Sequence, residues 1–394
     1  MRVVHICNLP LPENHPEYGR ISCHPGRWVL NLALAQKRHT DIDPILVVQV
    51  PGSTRNYLAQ IEGIDVHYLA APDTLRSATL FQFDARRMGS YALKLKPDLV
   101  HAHGTEDAYA LAAQFTGLPY LVTAQGCYFI INRHLKPRLI SRAKAVEFCE
   151  WLALRKTTHV IAKSDYVARL LQERFPHLQI HRIPNTFDPR LLEIDPVQPR
   201  EPHSVAFVGT IDHRKGFHLI REALESSTEL QSTISLHVFG NKSASASPYE
   251  HSELEKMRTL LRDRLVLHGI RPALEVAEAL ARCRLLVAPS LEEMFGNQVI
   301  EALLVGTPAI VTEGTAMAEN IRKFGHGSVV AQKDTAELAS AIERYFWDFD
   351  PAVSAVTRSR MIQALGPEAV AKKHLELCRS ILNKAPLTPD RNHA

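Results

Sequence analysis

Within Pro289–Glu301 (PSLEEMFGNQVIE), carboxylates, side-chain amides and a glycine stand at a spacing that suits a phosphate and a polyol. The apolar run Leu285–Ala288 before them reads as a strand and Asn297–Val305 as a helix, so Gly296 marks a strand-to-helix turn. The first N–H groups of a helix have no partners inside it, and together with the helix dipole they draw an anion to the turn. Phe295, Gly296, Asn297 and Gln298 would line that place. Glu293 precedes the turn and Glu301 lies inside the helix, with seven residues between them, so both can face one ligand across the helix start. A carboxylate accepts paired hydrogen bonds from hydroxyls, which suits Glu293 to a hexose and Glu301 to a ribose. Two solvated glutamates near a helix start are the plain alternative for such a pair taken alone.

A second turn has the complementary charge. In Val205–Gly216 (VAFVGTIDHRKG) an apolar strand runs into Gly209 and Thr210, then a short loop, then Arg214-Lys215-Gly216 and a helix. Two fixed cations at a sheet tip can stabilise a departing nucleoside diphosphate without a metal. Standing alone, the Arg-Lys pair would read as a solvated helix start.

Such turns need sheets to carry them, and short runs rich in Val, Ile and Leu do alternate with segments of helical period. Strands are expected at Arg2–Cys7, Pro44–Val50, Asp65–Leu69, Asp98–His101, Pro119–Thr123, His159–Ala162 and Ile180–Ile183. They resume at Ser204–Val208, Ile234–Phe239, Leu265–His268, Leu285–Ala288 and Ala309–Thr312. Helices are expected between them, at Gly26–Arg38, Ala78–Leu95, Asp107–Phe115, Lys136–Arg155 and Tyr166–Phe175, then at Gly216–Glu225, Glu250–Leu261, Ala273–Arg282 and Asn297–Val305. This α/β alternation predicts parallel sheets covered on both faces. Pro189, Pro196, Pro199 and Pro202 interrupt it. The expected division is a Rossmann-like domain over 1–187, a linker over 188–203 and a second Rossmann-like domain over 204–350. C-terminal helices follow over 351–383, with Pro367 in the first turn of the last and room to pack back on the first domain, and 384–394 reads as a loose tail. Two doubly wound domains joined this way face a central cleft at the carboxyl ends of their strands, where ligands bind.

Composition narrows the class. The chain has 394 residues, 45% apolar and 22% charged, with a formal charge of +4. These values suit a globular protein that favours anionic ligands without calling for nucleic acid. Six scattered cysteines with no close pair argue against a zinc site or a disulfide framework and make a reducing cytoplasm the expected compartment. The polar, proline-rich residues after Cys7 come too soon for a signal peptide, and no window is apolar enough to span a membrane. No Ser-His-Asp set, metal-binding histidine pair or Walker loop is evident.

The Glu, seven residues, Glu string of 293–301, with Phe295-Gly296 inside it and Gly306-Thr307-Pro308 after the helix, resembles the signature of the family 4 retaining glycosyltransferases, whose fold is GT-B. The resemblance implies that Glu293 contacts the transferred sugar and Glu301 the nucleotide ribose. Gly209–Gly216 resembles the family's phosphate loop, which implies that Arg214 and Lys215 hold the diphosphate; Thr210 departs from the arginine many members carry there. His268–Arg271 stands where members bind the base, making Ile270 and Arg271 candidate base contacts. Ile183–Asp188 resembles a turn closing the first domain, with Asn185 and Asp188 as turn residues and Thr186 in place of a glycine. Glu319 matches a glutamate that starts a late helix, read as a cap. On the acceptor side, Asp98–Gly104 resembles a strand ending in His-x-His, so His103 could hydrogen-bond a sugar or phosphate while His101 packs. Gln125 takes the place of a histidine near the reacting sugar, which leaves a hydrogen-bonding group but no acid or base. The family's paired-glycine loop is reduced to Pro25-Gly26, where Gly26 can still admit a phosphate closely.

The implied activity is retaining, metal-independent transfer of a hexose-type sugar from a nucleoside-diphosphate sugar, UDP-linked before GDP-linked, to a hydroxyl of a glycan, lipid-linked or small-molecule acceptor. Glu293, Lys215, Arg214 and His103 would carry it, and no cofactor is required. A sugar-nucleotide epimerase and a non-catalytic nucleotide-sugar-binding protein are the competitors. Seven Arg or Lys residues between Arg133 and Lys156, interleaved with Leu139, Phe148 and Trp151, could lay a basic amphipathic helix on the inner face of an anionic membrane. An ordinary solvated face is the plainer reading of that segment.

Overall fold

A computed structural model describes residues 1–21, 26–74, 76–135, 137–139, 141–241, 246–347 and 351–384, without the side chains of residues 135 and 351–354. The first sheet contains β1 (Arg2–Cys7), β2 (Asp43–Pro51), β3 (Tyr57–Ile61), β4 (Ile64–Ala71), β5 (Leu99–His103), β6 (Tyr120–Thr123), β7 (His159–Ala162) and β8 (Gln179–Arg182). Their order is β3-β4-β2-β1-β5-β6-β7-β8. The second contains β9 (Ser204–Val208), β10 (Ser235–Phe239), β11 (Leu265–Gly269), β12 (Leu285–Ala288), β13 (Ala309–Thr312) and β14 (Gly327–Val330), ordered β11-β10-β9-β12-β13-β14. The central strands are short apolar runs buried along nearly their whole length, as parallel strands covered on both faces must be. In each sheet the order reverses beside the first strand, between β1 and β5 and between β9 and β12. A crevice opens at such a reversal because the connecting helices leave on opposite faces.

The structure adds two strands to those expected. β3 pairs antiparallel with β4 through a two-residue turn at Glu62 and Gly63, both at positive φ (51° and 83°), the backbone that matches hairpin twist. Its alternating half-exposed residues are the pattern of an edge, which an apolar-run criterion passes over. β14 is equally short and half-buried at the other sheet's rim.

Two expected helices are corrected. Ala78–Leu95 starts only at Gln82, because Leu80 and Phe81 take left-handed φ (48° and 57°). The helix expected over Lys136–Arg155 starts only at Arg142 and runs to Leu154, capped by the Ser141 hydroxyl, which accepts from the Lys144 N–H, and a separate helix, Tyr128–Leu135, precedes it. The described part of the connection includes Pro137, whose ring cannot continue an α-helix. The basic and apolar residues of 133–156 therefore do not form one continuous membrane-facing stripe; Lys136 itself, like Cys23, Pro25 and 385–394, lies outside the described residues.

The chain crosses between the sheets twice. Arg200 ties the first crossing to the second sheet's underside through Cys283 O (2.8 Å) and Thr307 Oγ1 (2.7 Å). After the helix Pro351–Leu365, which puts Met361 and Leu365 into the second core, the final helix Pro367–Lys384 returns to the first sheet. There Val370, Leu377, Cys378 and Ile381 pack with Val3, Leu99 and Leu121. Each such apolar side chain removed from water contributes about 1.5–3 kcal/mol, enough to hold the helix on the other body.

Candidate functional site

The carboxyl ends of the two sheets meet over two adjoining cavities of about 310 and 500 Å³. Trp28, Lys215, Phe295, Asn297 and Gln298 line both, so the cavities form one bent slot with Lys215 at the elbow.

The C-terminal wall is built on glycines whose positive φ and close neighbours would strain any side chain. Gly216 has φ +73°, and a Cβ there would fall 2.1 Å from the Pro289 carbonyl oxygen. The loop before it therefore lies flat on the end of β12, where the Leu291 N–H donates to Arg214 O (2.7 Å) and the Arg214 guanidinium to Glu292 O (3.1 Å). That contact delivers the Lys215 ammonium to Glu293 Oε2 at 2.5 Å. The other Glu293 oxygen accepts from the Met294 N–H (3.1 Å). Burial alone would raise the Glu293 carboxyl, but Lys215 and Arg214 with these hydrogen bonds hold it down at about 2. It is an acceptor at every working pH. Gly296, φ +80°, starts the helix Asn297–Leu304; a Cβ there would lie 2.4 Å from Met317 Cγ. The turn's carbonyl is held from behind by Asn320 (2.7 Å). Glu301 faces the larger cavity with Asp188 and Arg271, and burial followed by the Asp188 charge lifts its carboxyl to about 8.

The N-terminal wall supplies Asn8, His103, Glu106, Gln125 and Lys163, each at or just beyond the end of a strand in the first sheet. His103 Nε2 lies 2.8 Å from His5 Nδ1, and His101 Nε2 is 2.7 Å from Thr123 Oγ1. His5, His101 and His103 are buried, and burial depresses all three imidazoles. They are the one group with metal-ligand spacing among the described residues, although the His5–His103 contact already uses one nitrogen of each. Lys163 donates to Gln125 Oε1, and burial brings its ammonium down to about 8.

The walls are joined by the loop that carries Glu293. Met294 is buried in an N-terminal cluster with Cys127, Ile130 and Val167, and its sulfur accepts from the Cys127 N–H (3.2 Å). Ser164 Oγ donates to Met294 O (3.0 Å), the Tyr166 hydroxyl to Glu292 Oε2 (2.7 Å), and Asn185 Nδ2 to Asn297 Oδ1 (3.1 Å). The cleft is closed on the turn that carries Glu293.

Residues 26–191 match the model of Glycosyltransferase Family 4, and residues 202–348 match that of Glycosyl transferases group 1. The chain belongs to family 4 of the glycosyltransferases. This glycosyltransferase is 25% identical over 281 residues to the 2-deoxystreptamine glucosyltransferase of Streptomyces kanamyceticus, a match covering 67% of the chain and 72% of that protein. Two further curated relatives are matched over 63% of their length. In fold it is similar to sucrose-phosphate synthase from Thermosynechococcus elongatus, with a TM-score of 0.80 at 20% identity over 98% of this chain and 100% of that one. It is also similar to HepE of Anabaena in complex with UDP and glucose, with a TM-score of 0.66 at 16% identity over 96% and 99%. The fold is GT-B.

Most residues singled out in the sequence of the glycosyltransferase line the slot. Gly209, Arg214, Lys215, Glu293, Phe295, Gly296, Asn297, Gln298, Glu301 and Arg271 do so from the C-terminal side, and His103 and Gln125 from the other. Gly26 lines the larger cavity beside Asn185 and Glu301, not the acceptor end, and a Cβ there would overlap the Trp28 ring. Thr210 is exposed with its hydroxyl donating to Asp212, and Ile270 is 59% exposed; neither lines the slot. The late helix is capped by Thr315, not by Glu319, which instead lies 3.8 Å from Arg169 across the cleft. Lys163, Glu106, Asn8, Trp28 and Met294 went unread. A charge or amide just after an apolar strand end was the available signal for the first three; nothing local marks Trp28 or Met294.

Proposed function

We propose that this glycosyltransferase transfers a hexose-type sugar, with retention and without a metal, from a UDP-sugar to a hydroxyl on a glycan, lipid-linked or small-molecule acceptor. The observation that carries the reading is the half-buried Lys215–Glu293 pair at the elbow of the slot, 2.5 Å apart. A donor in the slot puts its diphosphate against Lys215, Arg214 and the first amides of the helix after Gly296. Its ribose lies toward Glu301 and its base toward Arg271. The hexose then turns the corner to Glu293, whose ionised carboxylate accepts from its hydroxyls.

As the anomeric bond breaks, negative charge grows on the diphosphate where two cations and a helix N-terminus already point. Such preorganised groups cost no reorganisation at that moment. The acceptor hydroxyl attacks from the face the diphosphate leaves, and the departing phosphate oxygen takes its proton, so no enzyme nucleophile is needed. His103 stands on that side as a neutral hydrogen-bonding group, its imidazole depressed by burial and by the neighbouring His5 and His374. UDP is favoured over GDP because the solved relative of the same fold, HepE, carries UDP and glucose. A cytoplasmic enzyme with peripheral membrane contact is compatible with two features. No helix among the described residues is long and apolar enough to cross a membrane, and Leu139 and Phe148 are exposed among basic residues.

The test is a panel of UDP-, GDP- and ADP-sugars with methyl glycosides, an aminocyclitol and lipid-linked saccharides, in EDTA, following nucleotide release and the anomeric configuration of the product by NMR. A product of the donor's own anomeric configuration is expected. Inversion, or turnover only with added metal, overturns those parts of the reading. Altered sugar without transfer identifies an epimerase, and binding without turnover identifies a binding protein.

A further inference from the structure

Behind the His103 ring lies a buried polar cluster that the transfer chemistry leaves unused. Side chains two apart on a strand share a face, and β1 and β5 are in register at His5 and His101. His5, His101 and His103 therefore lie together on the face that the helix Trp28–His39 and the final helix cover. The final helix adds His374 to them and the helix Trp28–His39 adds Gln36, and all five side chains are buried. His103 Nε2 is spent on His5 Nδ1 at 2.8 Å, which leaves Nδ1 as its nitrogen for the slot. His5 Nε2 and both polar atoms of the Gln36 amide are sealed from solvent without a hydrogen-bond partner. The amide nonetheless acts on the His5 ring, opposing the fall to about 4 that burial causes.

Two neutral imidazoles in nitrogen-to-nitrogen contact share one hydrogen, so the tautomer of one dictates that of the other. If His5 Nδ1 carries it, His103 Nε2 is bare and His103 Nδ1 must donate into the slot. In the alternative His103 Nε2 donates to His5, and His103 Nδ1 faces the slot as a bare acceptor. Two observations select the second. Lys163 lines the slot and its charge acts on His103, and a cation beside a ring favours a lone pair over an N–H on the side it faces. An amide oxygen turned to His5 is what opposes the fall of that imidazole, and it accepts from an Nε2–H, which leaves His5 Nδ1 bare to receive His103. Pairing Gln36 with His5 also satisfies polar atoms that would otherwise each carry a desolvation cost.

We propose that His5 and Gln36 are positioning residues that lock His103 in the tautomer protonated on Nε2, so that its Nδ1 accepts from a hydroxyl of the sugar held in the slot. The inference deepens the sugar-transfer reading above and rests on it for the sugar. Neither His5 nor Gln36 lines the slot; both act through His103. The relay runs from the Gln36 carbonyl through two neutral rings, each N–H donating away from the slot. A bare nitrogen at its end favours a hydroxyl over an ionised phosphate or carboxylate oxygen, which has no hydrogen to give it.

The full chain, isotope-labelled in its histidine ring nitrogens, reads the tautomer directly by NMR. In long-range proton–nitrogen spectra, with peaks assigned from His5 and His103 variants, His103 Nε2 should be protonated and Nδ1 bare from about pH 6 to 8. Gln36→Leu should admit the other tautomer. With the best donor and acceptor of the panel it should lower kcat/KM about three- to tenfold, the loss of one well-aimed hydrogen bond, while UDP affinity by calorimetry stays within about twofold. His5→Leu should do the same, and His5→Asn, whose amide oxygen can accept in the place of Nδ1, should recover most of the rate. The spectra need no substrate, so if the panel gives no transfer the sugar-transfer reading fails while the tautomer is still decided. A hydrogen on His103 Nδ1 in wild type, or a tautomer or rate unmoved in Gln36→Leu, overturns the inference. So does stoichiometric zinc in the purified protein by mass spectrometry, which would make the three rings a metal site.

Discussion

On the C-terminal wall Lys215 and Glu293 come to the slot already paired, whereas on the N-terminal wall Glu106 and Lys163 make no ion pair among the described residues. Lys215 and Glu293 neutralise each other at 2.5 Å, on two loops held in contact by glycines. Glu106 and Lys163 each stand just after a strand end, and among the described residues Glu106 Oε2 has no hydrogen-bond partner, next to a cluster of neutral histidines. The difference fits the proposed donor chemistry. A diphosphate always presents the same charge in the same geometry, so its site can be built rigid and complete.

The comparison breaks first at Lys215. Lys215→Ala should lower kcat/KM by about 10²–10³-fold and weaken donor binding, because it removes a preorganised cation and strands a half-buried carboxylate. Glu293→Gln should lower turnover as well. If steady-state rates and donor calorimetry are unchanged in both, the C-terminal wall is not the donor site.

Rigidity is tested at the glycines. Gly216→Ala should cost about 2–4 kcal/mol in chemical denaturation, since its Cβ would collide with a backbone carbonyl as well as take positive φ. Gly269→Ala has φ +71° but open space around it, and should cost only about 1–2 kcal/mol. Equal losses would mean that the contact between the two loops adds nothing.

The clamp between the walls is worth less. Tyr166→Phe removes the hydroxyl that donates to Glu292 and should raise donor KM by roughly two- to tenfold, the equivalent of one hydrogen bond. An unchanged donor KM would detach closure from donor binding.

The smallest effect sharpens the contrast through pH. Burial lifts the Glu106 and Glu301 carboxyls from 4.5 to about 8. Between those values the folded state keeps protons that the unfolded chain has lost, so stability falls as pH rises through the window. The depressed histidines His5, His101, His103 and His374 act in the opposite sense only below 6.5, where the unfolded chain takes up protons the fold excludes. From pH 6.5 to 8 the thermal midpoint of the unliganded protein should therefore decline, and the E106Q/E301Q double variant should flatten the slope. A midpoint that rises over this range with wild type would contradict the burial of both acids.

The sequence by itself determined the features that are local in the chain. Short apolar runs made the parallel strands, the prolines of 188–203 interrupted them, and Gly216 and Gly296 marked turns because only glycine tolerates positive φ beside a neighbouring backbone or side chain. Glu293, Phe295 and Glu301 were legible because strand, turn and helix hold them at fixed offsets. Tertiary structure decided what depends on distance between segments. Lys215 and Glu293 are 78 residues apart and meet only because β9 and β12 are neighbours at the sheet's reversal. Glu106, Gln125 and Lys163 come from three strand ends and share no motif, and Met294 reads as one more residue of the donor loop until the other domain closes over it. The return of the last helix to the first sheet is likewise a matter of which apolar face was left uncovered. Periodicity records that a side chain is buried, but not against what.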